Sequence, residues 1–87
     1  MMALSAALFE DVVLEDGQIG ATNFHQYNVA RLAHTPKIEV YFHEGGEKPY
    51  GVGEPPMAPV APAIANALFD LTGERLRSLP LQPALSV

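Results

Sequence analysis

One carboxylate stands out for its setting. Glu54 lies in Gly51-Val52-Gly53-Glu54-Pro55-Pro56, between two glycines and two prolines, ahead of an Ala-rich apolar run that reaches Leu71. Glycine lets the backbone reach φ > 0 or come close to another group. Proline suits the first helical position, where its missing N–H costs nothing. The pattern predicts a tight, bare loop holding one acid just outside a helix N-terminus, where partial positive charge favours the ionised form. A carboxylate within hydrogen-bond reach of a transferable proton can act as a general base. Spacing alone supports a plainer reading too: an acid before a helix serves as a cap or dipole partner, and a lone GxG is a weak motif.

Other chemistries find less support. The chain has no cysteine, so it offers no disulfide, no thiolate nucleophile and no iron–sulfur or Cys-based zinc site. His25, His34 and His43 are too evenly spread for any pair to take the i, i+2 or i, i+4 spacing that converges on a metal. They read as surface or hydrogen-bonded residues, and no metal site is expected. The net charge of −5, with five Lys and Arg in all, argues against nucleic acid, which needs a basic face.

The elements that must carry Glu54 can be read in order. Met1–Phe9 is small, apolar and rich in helix formers, which predicts a short N-terminal helix. Val12, Val13 and Leu14 precede Asp16-Gly17, a strong tight-turn signal, so a hairpin is expected over about 11–22. Thr22–Thr35 lacks periodicity and reads as an irregular loop with a helical turn around Val29–Ala33. In Pro36–Glu44, Ile38, Val40 and Phe42 alternate with Glu39, Tyr41 and His43, the period-2 signature of a half-buried strand, expected over 37–44. Val60, Ile64, Ala67, Leu68 and Leu71 recur at helical spacing, and Thr72-Gly73 is a helix stop, which predicts a helix over about 60–72. Arg75 and Arg77 read as solvated charges beyond that helix, and 82–87 as a loose tail.

Eighty-seven residues make one small domain, burying roughly 60% of the surface that the unfolded chain exposes. The residues are 48% hydrophobic and 17% charged, so apolar surface should be left over for a partner or for self-association. No apolar run approaches the roughly 20 residues that span a bilayer. The N-terminus has no basic region before its apolar residues, so no signal peptide is read and the cytoplasm is the default compartment. The expected fold is α+β: a small sheet made by the hairpin and the 37–44 strand, the 60–72 helix packed on it, and the short N-terminal helix.

The stretch GVGEPPMAPVAPAIANALFDLTGERLRSLPL resembles the last segment of the molybdenum-binding subunit of the xanthine dehydrogenase and aldehyde oxidase family, nearest to large (beta) subunits of the isoquinoline 1-oxidoreductase type. The resemblance extends to LSAALF near the start and to Asn23-Phe24-His25-Gln26-Tyr27 ahead of Arg31, and so covers nearly the whole chain. It implies an oxidoreductase that hydroxylates an electron-poor carbon, often in an N-heterocycle, or oxidises aldehydes with a molybdopterin cofactor. It implies that Glu54 is the base that deprotonates the cofactor's hydroxyl. It implies that Gly51 and Gly53 form a loop near the cofactor. The partners implied are the rest of the molybdenum-binding subunit and an iron–sulfur subunit. Most pterin-holding loops would lie upstream of this stretch, so the chain by itself is expected to be inactive and to hold no cofactor. The competing reading is a non-catalytic interaction or remnant domain that self-associates, in which Glu54 keeps only a helix-end role.

Overall fold

The computed structural model describes residues 1–46 and 48–81, so the expected tail at 82–87 lies outside the described residues. Helix α1 spans Met2–Leu8, and the two-residue strands β1 (Leu14–Glu15) and β2 (Gln18–Ile19) follow it. Short 3₁₀ turns at Phe24–Gln26 and Leu32–His34 come next, and helix α2 covers Val60–Thr72. The class is α+β, as the sequence patterns imply.

The hairpin is set by its turn. Asp16 and Gly17 both take positive φ, 49° and 78°. That pair of conformations matches the right-handed twist of the strands it joins. The antiparallel register is Leu14 opposite Ile19 and Glu15 opposite Gln18. A further bond from the Gly20 N–H to the Val13 carbonyl, 2.9 Å, extends the pairing by one residue on each side.

Helix α2 stops where expected. Gly73 sits in the left-handed conformation with φ 74°, and its N–H reaches back to the Phe69 carbonyl at 2.7 Å. The Thr72 hydroxyl donates to the Leu68 carbonyl and accepts from the Glu74 N–H, which closes the last turn. Arg75 is not free in solvent. Its guanidinium donates to the Asn66 side-chain oxygen and lies 3.9 Å from the Phe69 ring centroid, so it folds back along α2.

Two expectations about the sheet are corrected. Residues 37–44 form no strand: they carry no secondary structure, and every one of them is exposed. A strand exists only where a neighbour completes its ladder, and the one sheet among the described residues is the hairpin. Helix α2 accordingly packs on α1 rather than on a sheet. Its half-buried residues are Val60, Ala61, Ile64, Ala65 and Leu68, while Ala67 is exposed and Leu71 is 82% exposed. The buried stripe is thus rotated from the predicted one, because α1 rather than a sheet is what it faces.

The core is small. Ala7 and Leu81 are each 2% exposed, and Ser5 is the buried polar residue beside them. The Leu81 N–H donates to the Ala7 carbonyl at 2.9 Å, which ties the segment after α2 to α1. The Cα radius of gyration is 16.2 Å, against about 12 Å for a compact domain of this length. The chain spreads its apolar residues over an open shape instead of enclosing them.

Candidate functional site

Glu54 stands in a solvent-facing stretch: every described residue from 48 to 59 is exposed. Among the described residues its carboxylate makes no hydrogen bond or ion pair. Its carbonyl accepts from the Met57 N–H at 2.9 Å, closing a turn over 54–57. The chain continues in turns through Pro59, and α2 begins only at Val60. Pro59 is the N-cap, with no side chain bonding to the free N–H groups. Glu54 is therefore not the cap of α2, a correction to the placement read from the prolines. Pro55, Pro56 and Pro59 lack N–H donors, so the chain turns before a helical ladder can start.

The two flanking glycines also differ from expectation. Neither is among the residues with positive φ, and a Cβ placed on Gly51 or Gly53 would meet nothing within 4 Å. Within this chain, nothing about their backbone requires glycine. The glycine that does need its freedom nearby is Gly46, with φ 87°. What Gly51 and Gly53 provide is a bare approach to the carboxylate between them and the prolines.

Met57, itself 41% exposed, is the residue of the loop that faces the N-terminal helix across a groove of ≈ 330 Å³, which it borders with Met1, Met2, Ser5 and Ala30. Helix α1 and the two residues after it anchor the 22–35 loop by three contacts. The Ser5 hydroxyl accepts from the Ala30 N–H at 2.9 Å. The Tyr27 hydroxyl donates to the Glu10 carboxylate at 3.0 Å. The Phe9 and His34 rings stack with centroids 4.5 Å apart. The hydrogen bond to Glu10, assisted by partial desolvation and the negative charges of Glu10 and Asp11, raises the Tyr27 pKa above its ordinary 10.0. None of these tethers was singled out by spacing. Ser5 offered the one signal, a weak helix former amid alanines whose hydroxyl seeks a backbone partner.

His34 Nδ1 accepts from the Arg31 N–H at 3.0 Å, a local turn bond rather than a ligand's geometry. Among the described residues, no three His, Asp or Glu side chains gather as a metal-binding group. No described helix is long and apolar enough to cross a membrane. Glu54 is one of several exposed carboxylates without a partner among the described residues, Glu44 being another, and it is set apart by the glycines and prolines around it. Such a group can take up a proton from something brought to it.

Comparison with known proteins gives that loop a context. No protein-family model matches the chain, and no solved structure matches it. It is 40% identical over 86 residues to the isoquinoline 1-oxidoreductase subunit beta of Brevundimonas diminuta, covering 99% of this chain and 11% of the relative. It is 36% identical over 89 residues to the putative xanthine dehydrogenase molybdenum-binding subunit XdhA of Escherichia coli K12, covering 94% of this chain and 12% of the relative. It is also 40% identical over 84 residues to a protein of Gluconacetobacter polyoxogenes named membrane-bound aldehyde dehydrogenase [pyrroloquinoline-quinone], covering 97% of this chain and 11% of the relative. That last name carries a different cofactor from molybdenum. The chain spans only about a tenth of the length of these relatives. Over nearly all of its own length, it is a homologue of part of the molybdenum-binding subunits of the xanthine dehydrogenase and aldehyde oxidoreductase family.

Proposed function

We propose that this chain supplies the base-bearing loop of a molybdenum hydroxylase, an oxidoreductase that hydroxylates an N-heterocycle or oxidises an aldehyde. Glu54 is the general base. The observation that carries the reading is a carboxylate with no partner of its own among the described residues, on an exposed loop between glycines and prolines. Its backbone closes the 54–57 turn, and among the described residues its carboxylate holds no cap and no cation.

A molybdopterin would supply the redox chemistry of such a reaction. The described residues do not fit it as a complete holder, because Gly51 and Gly53 border open space and 48–59 are exposed throughout. Holding it falls to other polypeptide, namely the rest of the molybdenum-binding subunit, with an iron–sulfur subunit receiving the electrons. By this reading the chain alone is inactive. Gly51 and Gly53 keep side chains away from the place where Glu54 meets an acidic proton.

A second reading has its own support in the exposed apolar residues. Phe24, Phe42 and Leu71 are each more than four-fifths exposed, which favours a stand-alone, non-catalytic domain that self-associates. Native mass spectrometry of the chain purified from its host, with molybdenum quantified on the same sample, separates the two. A complex with a second polypeptide and stoichiometric molybdenum supports the enzyme reading. A metal-free homo-oligomer supports the other. In the assembled enzyme, Glu54→Gln should lower kcat by at least about 10²-fold, the usual lower range for a general base, without changing assembly. Full activity in that variant would remove Glu54 from the chemistry.

A further inference from the structure

The His34 ring is engaged on two sides. Its Nδ1 accepts from the Arg31 N–H at 3.0 Å. Its face stacks on Phe9, with centroids 4.5 Å apart and planes 30° from parallel. The first contact closes the 31–35 turn from the side chain. The backbone closes it too, through the His34 N–H to the Arg31 carbonyl at 2.8 Å and the Thr35 N–H to the Leu32 carbonyl at 3.0 Å. The second contact joins this turn to the residue that ends α1. Beyond it the described residues from 36 to 59 form no helix or strand, and Glu54 lies among them. The turn is the last 3₁₀ segment ahead of that loop.

A ring nitrogen accepts a hydrogen bond only while it carries no proton. In neutral histidine one nitrogen donates and the other accepts, whereas in the charged ring both donate. Here Nδ1 is the acceptor, so the neutral ring holds its proton on Nε2. Once the ring is charged, Nδ1–H meets the Arg31 N–H donor against donor. Turning the ring over brings no remedy, because it puts a C–H at the same place. The Phe9 contact responds differently, since a cation is attracted to an aromatic face. Protonation therefore removes the turn bond and leaves the stack.

The charged groups around the ring do not restore what is lost. On the α1 side Glu10 and Asp11 follow Phe9, and among the described residues neither forms an ion pair with His34. Glu10 is engaged with the Tyr27 hydroxyl. Within its own segment His34 has Arg31 and Lys37 three residues to either side, both cationic. Lys37 is paired with Glu39, which also accepts from the Tyr41 hydroxyl at 3.1 Å.

We propose that His34 is a pH-sensitive latch on the 31–35 turn, closed while its neutral ring accepts from the Arg31 N–H and released when the ring gains a proton. Histidine changes charge between about pH 5 and 8, so the release falls within the physiological range. The bond contributes at the alkaline end of that range and is lost as pH falls. Every contact involved lies within this chain, so the latch does not depend on the function proposed above.

NMR of the ¹⁵N-labelled 87-residue chain tests the latch. At about pH 8 the His34 ring should be the tautomer protonated on Nε2, and the Arg31 amide should exchange more slowly than an unstructured one. Referred to the unstructured rate at each pH, that protection should fall about five-fold, the worth of one neutral hydrogen bond. The fall should share its midpoint with the ring titration. His34→Gln, whose side-chain oxygen does not titrate, should show no such fall. His34→Phe, which can stack but not accept, should leave the Arg31 amide unprotected throughout. A neutral ring protonated on Nδ1 overturns the proposal. So does Arg31 protection that is absent at the start or constant through the titration. A fall that persists in His34→Gln belongs to another group, such as Glu10 or Asp11, and overturns it as well.

Discussion

Alanine substitutions at Gly53 and Gly73 test whether the glycines near Glu54 serve the chain's own fold or something brought to it. Gly73 closes α2 at φ 74°, and a Cβ there would meet nothing within 4 Å. Gly73→Ala thus isolates the backbone term, about 1–2 kcal/mol for a left-handed residue with a side chain. For a domain of this size, 1 kcal/mol corresponds to a fall in Tm of roughly 4–8 °C. Gly53 has neither a positive φ nor a neighbour. Gly53→Ala should leave stability unchanged or raise it by about 0.4–1 kcal/mol, because alanine narrows the unfolded ensemble. Thermal unfolding followed by circular dichroism at 222 nm, which reads the two helices, makes the comparison. In the assembled enzyme the order should reverse. If the loop closes on a reacting group, the added methyl of Gly53→Ala displaces it, and a displacement near 1 Å costs on the order of 10²-fold in rate. Gly73→Ala should leave kcat nearly unchanged once the complex is formed. The reasoning fails if Gly53→Ala destabilises the isolated chain as much as Gly73→Ala does. It fails equally if the assembled Gly53→Ala enzyme turns over at the full rate.

Further expectations concern the tethers on α1. Ser5→Ala leaves the Ala30 N–H without its acceptor beside a buried site, and should cost about 1–3 kcal/mol in a denaturant titration. Tyr27 has its pKa raised in the folded chain, so its contribution to stability is present below its ordinary pKa near 10.0 and is lost as pH rises through the higher folded value. The Tyr27→Phe variant should therefore show a flatter fall in Tm above pH 10 than the parent, and an identical fall would rule out the Glu10 bond as its cause. Glu39 behaves with the opposite sign. Its folded pKa lies below the ordinary 4.5, so its small surface contribution is present above that value and disappears as pH falls through the folded pKa. An NMR titration of the Glu39 carboxyl in Lys37→Ala should move the midpoint upward.

Local chemistry was enough to specify much of this chain. Asp16-Gly17 dictates the hairpin because two consecutive positive φ values are cheap there and nearly nowhere else. Gly73 ends α2 for the same kind of reason, and the run of helix formers before Phe9 needs no distant partner to be read. Glu54 was legible as a candidate because glycines and prolines around one acid are a local pattern. Three things depended on tertiary contacts. The strand at 37–44 did not form, since a ladder requires a second chain segment that no spacing within eight residues can supply. The buried stripe of α2 settled on Val60, Ala61, Ile64, Ala65 and Leu68 because α1, not a sheet, is its neighbour. The role of Ser5 as an acceptor for Ala30, twenty-five residues on, came only from the fold that brings them together. Periodicity records which side of an element is apolar, but what covers that side is a property of the partner.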